Sequence, residues 1–294
     1  MKLAMRIGVT LAGLVLGTAL SVSTGQGQSL PSAASPSPSP SPSPTAAPNP
    51  IGPSLGNNDP CTSLSAIATR PSVTNSVCTV RPNHVEVEGG YVNATSSTGG
   101  GNSVTYPNAL IRIGTTIPAL ELQIAPPTLI RTNAGGVNVA TSDIGAGLKY
   151  VFGYTPKFSY GGQVNFTAPT GLNGGSSNGT TSTYALNTAY TLSPAFALGS
   201  TLATSSQTNG VQRWSSFAPT LILNVSLPSS TGLFAELATF SNAVGPGSAT
   251  RTQYMFGVTR DIGPRLQLDA STALSPTTAT GRYHTVSFGA SYYF

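Results

Sequence analysis

From His84 to the C-terminus, the chain repeats a pattern in which apolar and polar residues alternate with a period of two. In the last stretch, YHTVSFGASYYF, one set of alternate positions is apolar or aromatic, and the other set is small and polar. Successive side chains of an extended strand point to opposite faces. The pattern therefore predicts strands with one apolar face and one mildly polar face.

About twelve such strands follow one another along the chain. The segments that show the alternation are VEVEGGYV, ALIRIG, LELQI, DIGAGLKYVF, GGQVNFTA, TYALNTAYTL, FALGSTLA, PTLILNVSL, GLFAELA, TQYMFGV, RLQLDAS and the final stretch. Short turns such as TTIP and DIGP alternate with long loops such as GLNGGSSNGTT. Short turns at one end and long loops at the other are typical of outer-membrane barrels.

The distribution of charge favours a membrane barrel over a soluble sandwich. Charged residues are 7% of the chain, against about 25% in ordinary soluble proteins. Those within strands lie on the polar face, whereas a sandwich carries its charges outside and keeps its inner faces apolar. A closed barrel also pairs every backbone group in lipid and has no edges. We therefore predict an all-β fold, a transmembrane antiparallel β-barrel of about twelve strands whose polar face lines a lumen.

Prolines interrupt two of the predicted strands. Pro107 lies in the second strand and Pro126-Pro127 in the third, and proline cannot donate to a strand ladder. If TTIP is the turn between these strands, Arg112 faces Glu121 and Pro107 faces Pro126. Both strands are then expected to bend at one level.

The residues before the barrel domain, 83–294, divide into three segments. Residues 1–23 have the charged start, short apolar core and small cleavage residues of a signal peptide. Residues 24–58 form a Ser/Pro-rich disordered spacer. Residues 59–82 contain the two cysteines of the chain, Cys61 and Cys78. In an exported chain, this even number predicts a disulfide, so we expect a disulfide-stapled periplasmic segment with a short helix at 63–69.

Several charged residues fall on the polar face of the strands and are expected to line the lumen. They are Glu86, Glu88, Arg112, Glu121, Lys149, Glu236 and Asp269. One interpretation is a charged constriction that selects solutes. The other is a set of mutually neutralising pairs, such as Arg112 with Glu121, that fill and stabilise the interior. Both interpretations remain open from the sequence.

Other classes of function find little support in the composition. The formal charge of +5 falls to +3 without Lys2 and Arg6, and no basic cluster suggests nucleic acid. Two cysteines without a matching histidine cluster predict no metal site and no cofactor. His84 and His284 each lie near a strand end, and no serine has a recognisable nucleophile context, so we expect no enzyme.

Residues from about 83 to 294 resemble the outer-membrane β-barrel family called MetA-pathway of phenol degradation. The resemblance is carried, in order, by NALIRIG, LELQ, SDIGAGLKYVF, NFTAPTG, LFAELA, YMFGVTRDIGPRLQLDAS and the aromatic last strand. It implies an outer-membrane barrel for the passage of small, often aromatic, compounds. It also implies that the C-terminal aromatics Phe288, Tyr292 and Phe294 are recognised by the barrel-assembly machinery. The Ser-Pro spacer and Pro126-Pro127 depart from the family pattern.

We therefore predict a transporter or channel in the outer membrane of a Gram-negative bacterium, exported by a cleaved signal peptide. Its expected partners are outer-membrane lipid, the barrel-assembly machinery and small solutes, with hydrophobic or aromatic compounds as candidates. Two alternatives stay open. One is a closed structural or adhesive barrel that works through its long surface loops. The other is an outer-membrane lipid-acting enzyme, which predicts loss of activity in His84→Ala.

Overall fold

A computed structural model describes residues 59–97, 101–133, 136–243, 245–278 and 281–294. The predicted signal peptide (1–23) and spacer (24–58) lie outside these ranges. None of the described residues belongs to a helix of the length and apolarity that crossing a membrane requires. The elements are α1 (Leu64–Ile67), β1 (Val85–Ser96), β2 (Asn102–Tyr106), β3 (Leu110–Gly114), β4 (Leu120–Ala125), β5 (Leu129–Thr132), β6 (Asn138–Thr141), β7 (Ile144–Tyr154), β8 (Phe158–Ala168), β9 (Thr181–Ser193), β10 (Phe196–Thr208), β11 (Arg213–Leu227), β12 (Thr231–Phe240), β13 (Arg251–Ile262), β14 (Leu266–Thr278) and β15 (Gly281–Tyr293).

These segments form one closed antiparallel barrel of twelve strands. Three strands are each divided in two, as β2 with β3, β4 with β5, and β6 with β7. The ring closes where β15 pairs with β1, from Glu86 opposite Tyr293 to Ser96 opposite Tyr283. The predicted fold is confirmed. One end of the barrel carries the turns at 115–119, 155–157, 194–195, 228–230 and 263–265, and we call it the short-turn end; the other is the long-loop end.

The three divided strands break at one level. Residues 107–109, between β2 and β3, lie opposite residues 126–128, between β4 and β5. The break between β6 and β7, at Ser142 and Asp143, lies alongside them. The expected bend of two proline-containing strands is therefore present, and a third strand without proline breaks beside them.

The register of the β3–β4 hairpin differs from the prediction. Arg112 has Gln123 as its Cα partner, and Glu121 stands opposite Gly114. The turn extends to Ala119, which adopts a positive φ of 66°, so the pairing shifts by two residues. A shift of two keeps every side chain on its own face because the side-chain period is two.

Burial separates the two faces of the wall. In β7, exposed and buried residues alternate without exception from Ile144 to Phe152. The outward side chains include large exposed apolar residues such as Leu202 and Phe256. A soluble monomer rarely exposes apolar patches beyond a few hundred Å², so a ring of such residues suits lipid. Five tyrosines are exposed on the same outer face, and tyrosines in this position commonly anchor a barrel at the membrane interface: Tyr150, Tyr184, Tyr190, Tyr254 and Tyr292.

Residues 59–82, which we call the plug, lie within the ring of strands. The sequence predicts a periplasmic segment of its own here, but these residues contact inward-facing side chains on several strands around the wall. The predicted disulfide joins Cys61 to Cys78, with their Cα atoms 5.2 Å apart. The expected short helix is α1, whose first turn is capped by the Ser63 side chain. The plug packs a small core of cysteine and aliphatic side chains against Tyr293.

Candidate functional site: the plug and the barrel lumen

Arg112 is the centre of a buried polar cluster on the inner wall. Its guanidinium donates to both carboxylate oxygens of Glu121, at 2.8 and 2.9 Å. It also donates to Glu86 at 2.9 Å and to Glu88 at 3.1 Å. All four side chains are almost fully buried. One cation thus joins three carboxylates from β1 and β4.

The same cluster binds the backbone of the plug. Arg112 donates to the carbonyl oxygens of Ile67 at 2.5 Å and Cys78 at 2.9 Å. Glu121 accepts a hydrogen bond from the Val80 N–H at 2.7 Å. Hydrogen bonds to charged groups contribute about 1.5–3 kcal/mol each, more than neutral ones. The cluster therefore holds the plug through charge-assisted hydrogen bonds as well as joining β1, β3 and β4.

Arg70 fixes the plug to the seam between β1 and β15. The backbone N–H groups of Thr69 and Arg70 each donate to the Glu88 carboxylate at 3.0 Å. The Arg70 side chain donates to Asp269 at 3.3 and 3.4 Å and to the Phe288 carbonyl at 3.2 Å. The plug is therefore held at the seam by the backbone of Thr69 and Arg70 and by the side chain of Arg70.

Two glycines make room for the Arg70 side chain. Gly90 and Gly289 are cross-strand partners at the seam. A Cβ atom would lie 2.3 Å from the Arg70 Nη2 atom at Gly90, and 2.4 Å from its Nε atom at Gly289. A side chain at either position would displace the guanidinium. The wall of the barrel is thus shaped to receive the plug.

Residues 73–75, which we call the tip of the plug, reach the wall at β10 to β12. The Glu236 carboxylate accepts from the N–H groups of Val73 at 2.9 Å and Thr74 at 2.5 Å, and from the Thr74 hydroxyl at 2.6 Å. Glu236 is only 4% exposed. The tip therefore supplies hydrogen-bond donors to a buried carboxylate.

Hydroxyl groups and an apolar patch complete the seat of the tip. The Thr74 and Thr220 hydroxyls are 2.7 Å apart, and the Asn75 N–H donates to the Thr201 hydroxyl at 2.9 Å. Val73 packs against a buried cluster of the inner wall. The cluster consists of Ile222, Phe234, Met255 and Ala273.

All seven charged residues predicted for the lumen are buried within the barrel. Five of them contact the plug directly: Glu88, Arg112, Glu121, Glu236 and Asp269. Glu86 joins this set through Arg112. Lys149 is 1% exposed, and its Nζ has no hydrogen-bond partner among the described residues. Most of these charges therefore hydrogen-bond with the plug, and four of them also pair with each other within the wall.

Sequence reasoning missed the residues of the plug that make these contacts. Most of the donors are backbone N–H groups, which carry no residue-type signature. Asp59 and Arg81 also form a buried ion pair within the plug, and the Arg81 N–H donates to the Tyr293 hydroxyl at 3.2 Å. A signal was present in the glycines at 90 and 289, which weaken a strand unless something approaches closely.

Of the two histidines, His84 lies beside the end of the plug and His284 lies on the outside of the barrel. His84 Nδ1 is 2.9 Å from the Pro82 carbonyl, and its ring is 5.3 Å from that of Tyr293. His284 is exposed, with Nε2 3.0 Å from the Thr272 hydroxyl. Neither of these bonds joins a histidine to a serine, as a hydrolase of the serine type would require.

The C-terminal aromatics lie on the outer face. Phe288, Tyr292 and Phe294 are all exposed, and the rings of Tyr292 and Phe294 are 4.7 Å apart in an edge-on arrangement. Their recognition by the assembly machinery stays a prediction.

A cavity of about 380 Å³ lies between the plug and the wall from β8 to β14. Its wall side is lined by small or uncharged side chains, including Ser159, Thr188, Asn224, Thr259 and Gln267. A second cavity, of about 660 Å³, lies at the short-turn end and shares Ser226, Gly232 and Thr259 with the first. The interior space therefore adjoins the mouth of the barrel at that end.

Comparisons with known proteins show what the fold is similar to. An outer membrane channel from Pseudomonas putida F1 is 14% identical with a TM-score of 0.53, covering 74% of this chain and 97% of that one. The NanC porin is 10% identical with a TM-score of 0.51, covering 71% and 98%. No protein-family model and no curated protein matches the chain. The fold is thus that of outer-membrane barrels, and membership of the phenol-degradation family stays a prediction.

Proposed function

We propose that the protein is an outer-membrane channel through which small solutes pass inside the barrel. The observation that carries the proposal is the 380 Å³ cavity enclosed by lipid-facing strands and adjoining the mouth at the short-turn end. The lumen of a barrel of about twelve strands is wider than its own side chains fill, but narrower than the water channel of a porin. Hydrophobic or aromatic compounds remain candidate solutes because of the family resemblance.

The same proposal places the chain in the outer membrane of a Gram-negative bacterium after removal of a signal peptide. The exposed apolar surface supports an outer surface in lipid. Phe288, Tyr292 and Phe294 then form the C-terminal signal for the assembly machinery. The short-turn end, where both termini of the barrel lie, faces the periplasm, as in other barrels of this kind.

Solute uptake by proteoliposomes tests the proposed channel. We expect purified protein to increase the swelling rate of liposomes in small solutes above that of protein-free liposomes. The plug occupies part of the lumen, so the increase should be smaller than that for an open porin. Liposomes that stay impermeable with the wild type and with every plug variant described below would contradict a channel.

The alternative of a structural or adhesive barrel is favoured by one observation, the ordered loop at the long-loop end. Asp143 accepts from the N–H groups of Gly171 at 2.8 Å and Ser177 at 2.9 Å, and from the Ser177 hydroxyl at 2.6 Å. Deleting residues 171–177 should leave solute flux unchanged if the protein is a channel with a passive loop. Loss of cell-surface binding with normal flux would favour the adhesive function.

We also propose that the barrel is not an enzyme. The His84 side chain contacts the Pro82 carbonyl and the Tyr293 ring. A phospholipid-hydrolysis assay on the wild type and His84→Ala is expected to show no activity in either protein. Hydrolysis by the wild type that is lost in His84→Ala would favour the lipid-acting enzyme.

A further inference from the structure

We propose that the tip of the plug is the gate of the channel, and that the cavity beneath it is a binding chamber for a small uncharged solute. This inference rests on the proposed channel function. It adds the position of the gate, the residue that holds it closed, and the chemical class of the solute.

The order of residues along β11 shows that the tip forms one end of the cavity. Inward residues of β11 run from Ser216 near the long-loop end to Ser226 near the short-turn end. Thr220, between them, contacts the tip. Ile222, Asn224 and Ser226 line the cavity. The cavity therefore lies on the short-turn side of the tip.

The two neighbouring strands give the same order. On β10, Thr201 contacts the tip and Gly199 lines the cavity. On β12, Glu236 contacts the tip and Phe234 lines the cavity. In each strand the cavity residue is closer to the short-turn end. Three adjacent strands thus place the tip as a roof between the cavity and the long-loop half of the lumen.

Glu236 is suited to hold this roof because its described hydrogen bonds all go to the tip. Within the described part of the chain, no Lys, Arg or His lies within ion-pair distance of its carboxylate. A buried carboxylate needs hydrogen-bond donors to offset its lost hydration. Val73 and Thr74 supply them. When the tip leaves, water must take over as donor, which favours two discrete positions of the tip.

The rest of the plug is anchored independently, so that the tip can move alone. Hydrogen bonds of the Arg112 cluster and of Arg70 hold the remaining plug residues against β1, β3, β4, β14 and β15. The disulfide joins Cys61 to Cys78 within the plug. The tip lies between Pro71 and Cys78 and contacts β10, β11 and β12 instead. Opening at the tip therefore leaves the main attachments intact.

The lining of the cavity indicates an uncharged solute. Arg70 is the charged side chain among the described lining residues, and it is paired with Asp269. A charged solute would lose hydration here without gaining a free counter-charge. The lining offers hydroxyl and amide groups from Thr188, Asn224 and Gln267 beside methyl groups. The volume of about 380 Å³ is within the range of about 300–1,000 Å³ usual for small-molecule sites.

The first test weakens the contact with the gate. Glu236→Gln keeps the shape of the side chain but removes the charge that strengthens its hydrogen bonds with Val73 and Thr74. We expect the swelling rate of proteoliposomes in a pentose to rise several-fold. Asp143→Asn is the matched control, since it makes the same carboxylate-to-amide change away from the plug, and should leave the rate unchanged. An unchanged rate in Glu236→Gln would count against the gate.

The second test locks the gate reversibly in the full chain. Asn75→Cys with Thr201→Cys places two thiols where the Asn75 N and Thr201 Oγ1 atoms are 2.9 Å apart. Oxidation should lower pentose influx to the protein-free level, and a reductant should restore it. The wild type under both conditions controls for reduction of the native disulfide.

The outcomes separate the gate, the solute class and the channel. The oxidised double-cysteine variant could form its cross-link and still admit the pentose as fast as the same variant does after treatment with a reductant. In that case the gate is wrong and the channel stands. If Glu236→Gln admits a sugar acid as fast as a pentose of similar size, the assignment of an uncharged solute is wrong. If no variant admits any solute in either redox state, the channel itself fails.

Discussion

Arg112 uses one guanidinium to bind three buried carboxylates and two backbone carbonyl groups of the plug. A guanidinium has five N–H donors in a fixed fork and stays charged. Lysine, with three donors and a point charge, could not serve this set of acceptors. The residue that sequence reasoning placed in a simple pair with Glu121 is therefore the junction of wall and plug.

Removal of Arg112 should be strongly destabilising. Arg112→Met leaves Glu86, Glu88 and Glu121 buried without their common cation, and breaking a buried ion pair costs about 3–5 kcal/mol. We expect the free energy of unfolding to fall by this amount, as measured by urea unfolding in lipid vesicles with Trp214 fluorescence as the signal. Arg131→Met is the control, because Arg131 is exposed on β5, and should cost about 0.5 kcal/mol or less. Equal stability of the two variants would contradict the role of Arg112.

The plug is the element whose structure depends most on its surroundings. Its helix has four residues, far below the length of about 12 at which an isolated helix is even marginal. Its core includes Tyr293 of the wall. A segment of this size is too short to bury a core of its own. Its order must therefore come from the barrel and from the disulfide.

Loss of the disulfide should loosen the plug and spare the barrel. Cys61 and Cys78 are 17 residues apart, and closing a loop of this length stabilises by roughly 3 kcal/mol in the chain-entropy model. In Cys61→Ser with Cys78→Ser, we expect faster hydrogen exchange of amides in 61–80 by up to two orders of magnitude. Ladder amides of β9 to β13 should exchange as in the wild type. Equal acceleration in these strands would show that the plug is not a separate element.

The loop at residues 169–180 depends on the charge of Asp143. Burial raises the pKa of Asp143, but hydrogen bonds from Ser177 and Gly171 outweigh it and lower the pKa from 3.8 to about 2. Because the pKa is lowered, the ionised Asp143 stabilises the loop fully above pH 3.8, and this stabilisation is lost as the pH falls towards 2. We expect a spin label at Leu172→Cys to become more mobile between these two values. Asp143→Asn should remove this pH dependence, and its persistence would contradict the assignment.

At the scale of the whole molecule, the outer and inner faces of the barrel differ in polarity and suit two different solvents. Exposed and buried residues alternate along β7, and large exposed apolar side chains occur on strands around the ring. Inside, most of the charged side chains hydrogen-bond with each other or with the plug, whereas the Lys149 Nζ has no partner among the described residues. Lipid outside and hydrogen-bonded polar groups inside are the conditions under which a closed sheet without edges is stable in a membrane.

A charge on the outer face should be costly at the middle of the strand. Leu202 is the central residue of β10 and is 48% exposed. Leu202→Arg is expected to lower the free energy of unfolding in lipid by about 2–4 kcal/mol. Val211→Arg makes a comparable change at a loop position that is 91% exposed, and should have little effect. Similar stabilities in detergent-free vesicles would argue against lipid at Leu202.

The strands and their faces could be predicted because a period of two is a local property of the sequence. The fold and the strand count follow from it, and the common level of the proline breaks follows from the positions of Pro107 and Pro126 on either side of the turn. The β3–β4 register could not be predicted, because it depends on Ala119 at a positive φ, a conformation that alanine rarely adopts. The period of two also places Glu88 and Glu236 on the inward face, and both side chains are buried there.

The position of the plug could not be predicted, although its disulfide and helix could. Its contacts are made by backbone N–H groups of residues such as Val73 and Val80, and every residue except proline carries that donor. The pattern of 59–82 therefore fits a separate segment as well as a plug. Only the surrounding wall, with Gly90 and Gly289 at the seam, distinguishes the two.

The most direct measurement is a nitroxide accessibility scan of β14 in lipid vesicles. Outward labels at Leu268, Ala270 and Leu274 should collide often with oxygen, which concentrates in lipid, and rarely with a water-soluble nickel chelate. Inward labels at Ser271 and Ala273 should collide little with oxygen, giving a period of two. Outward labels that collide mainly with the nickel chelate, or no period of two, would contradict a barrel with lipid outside and a plugged polar interior.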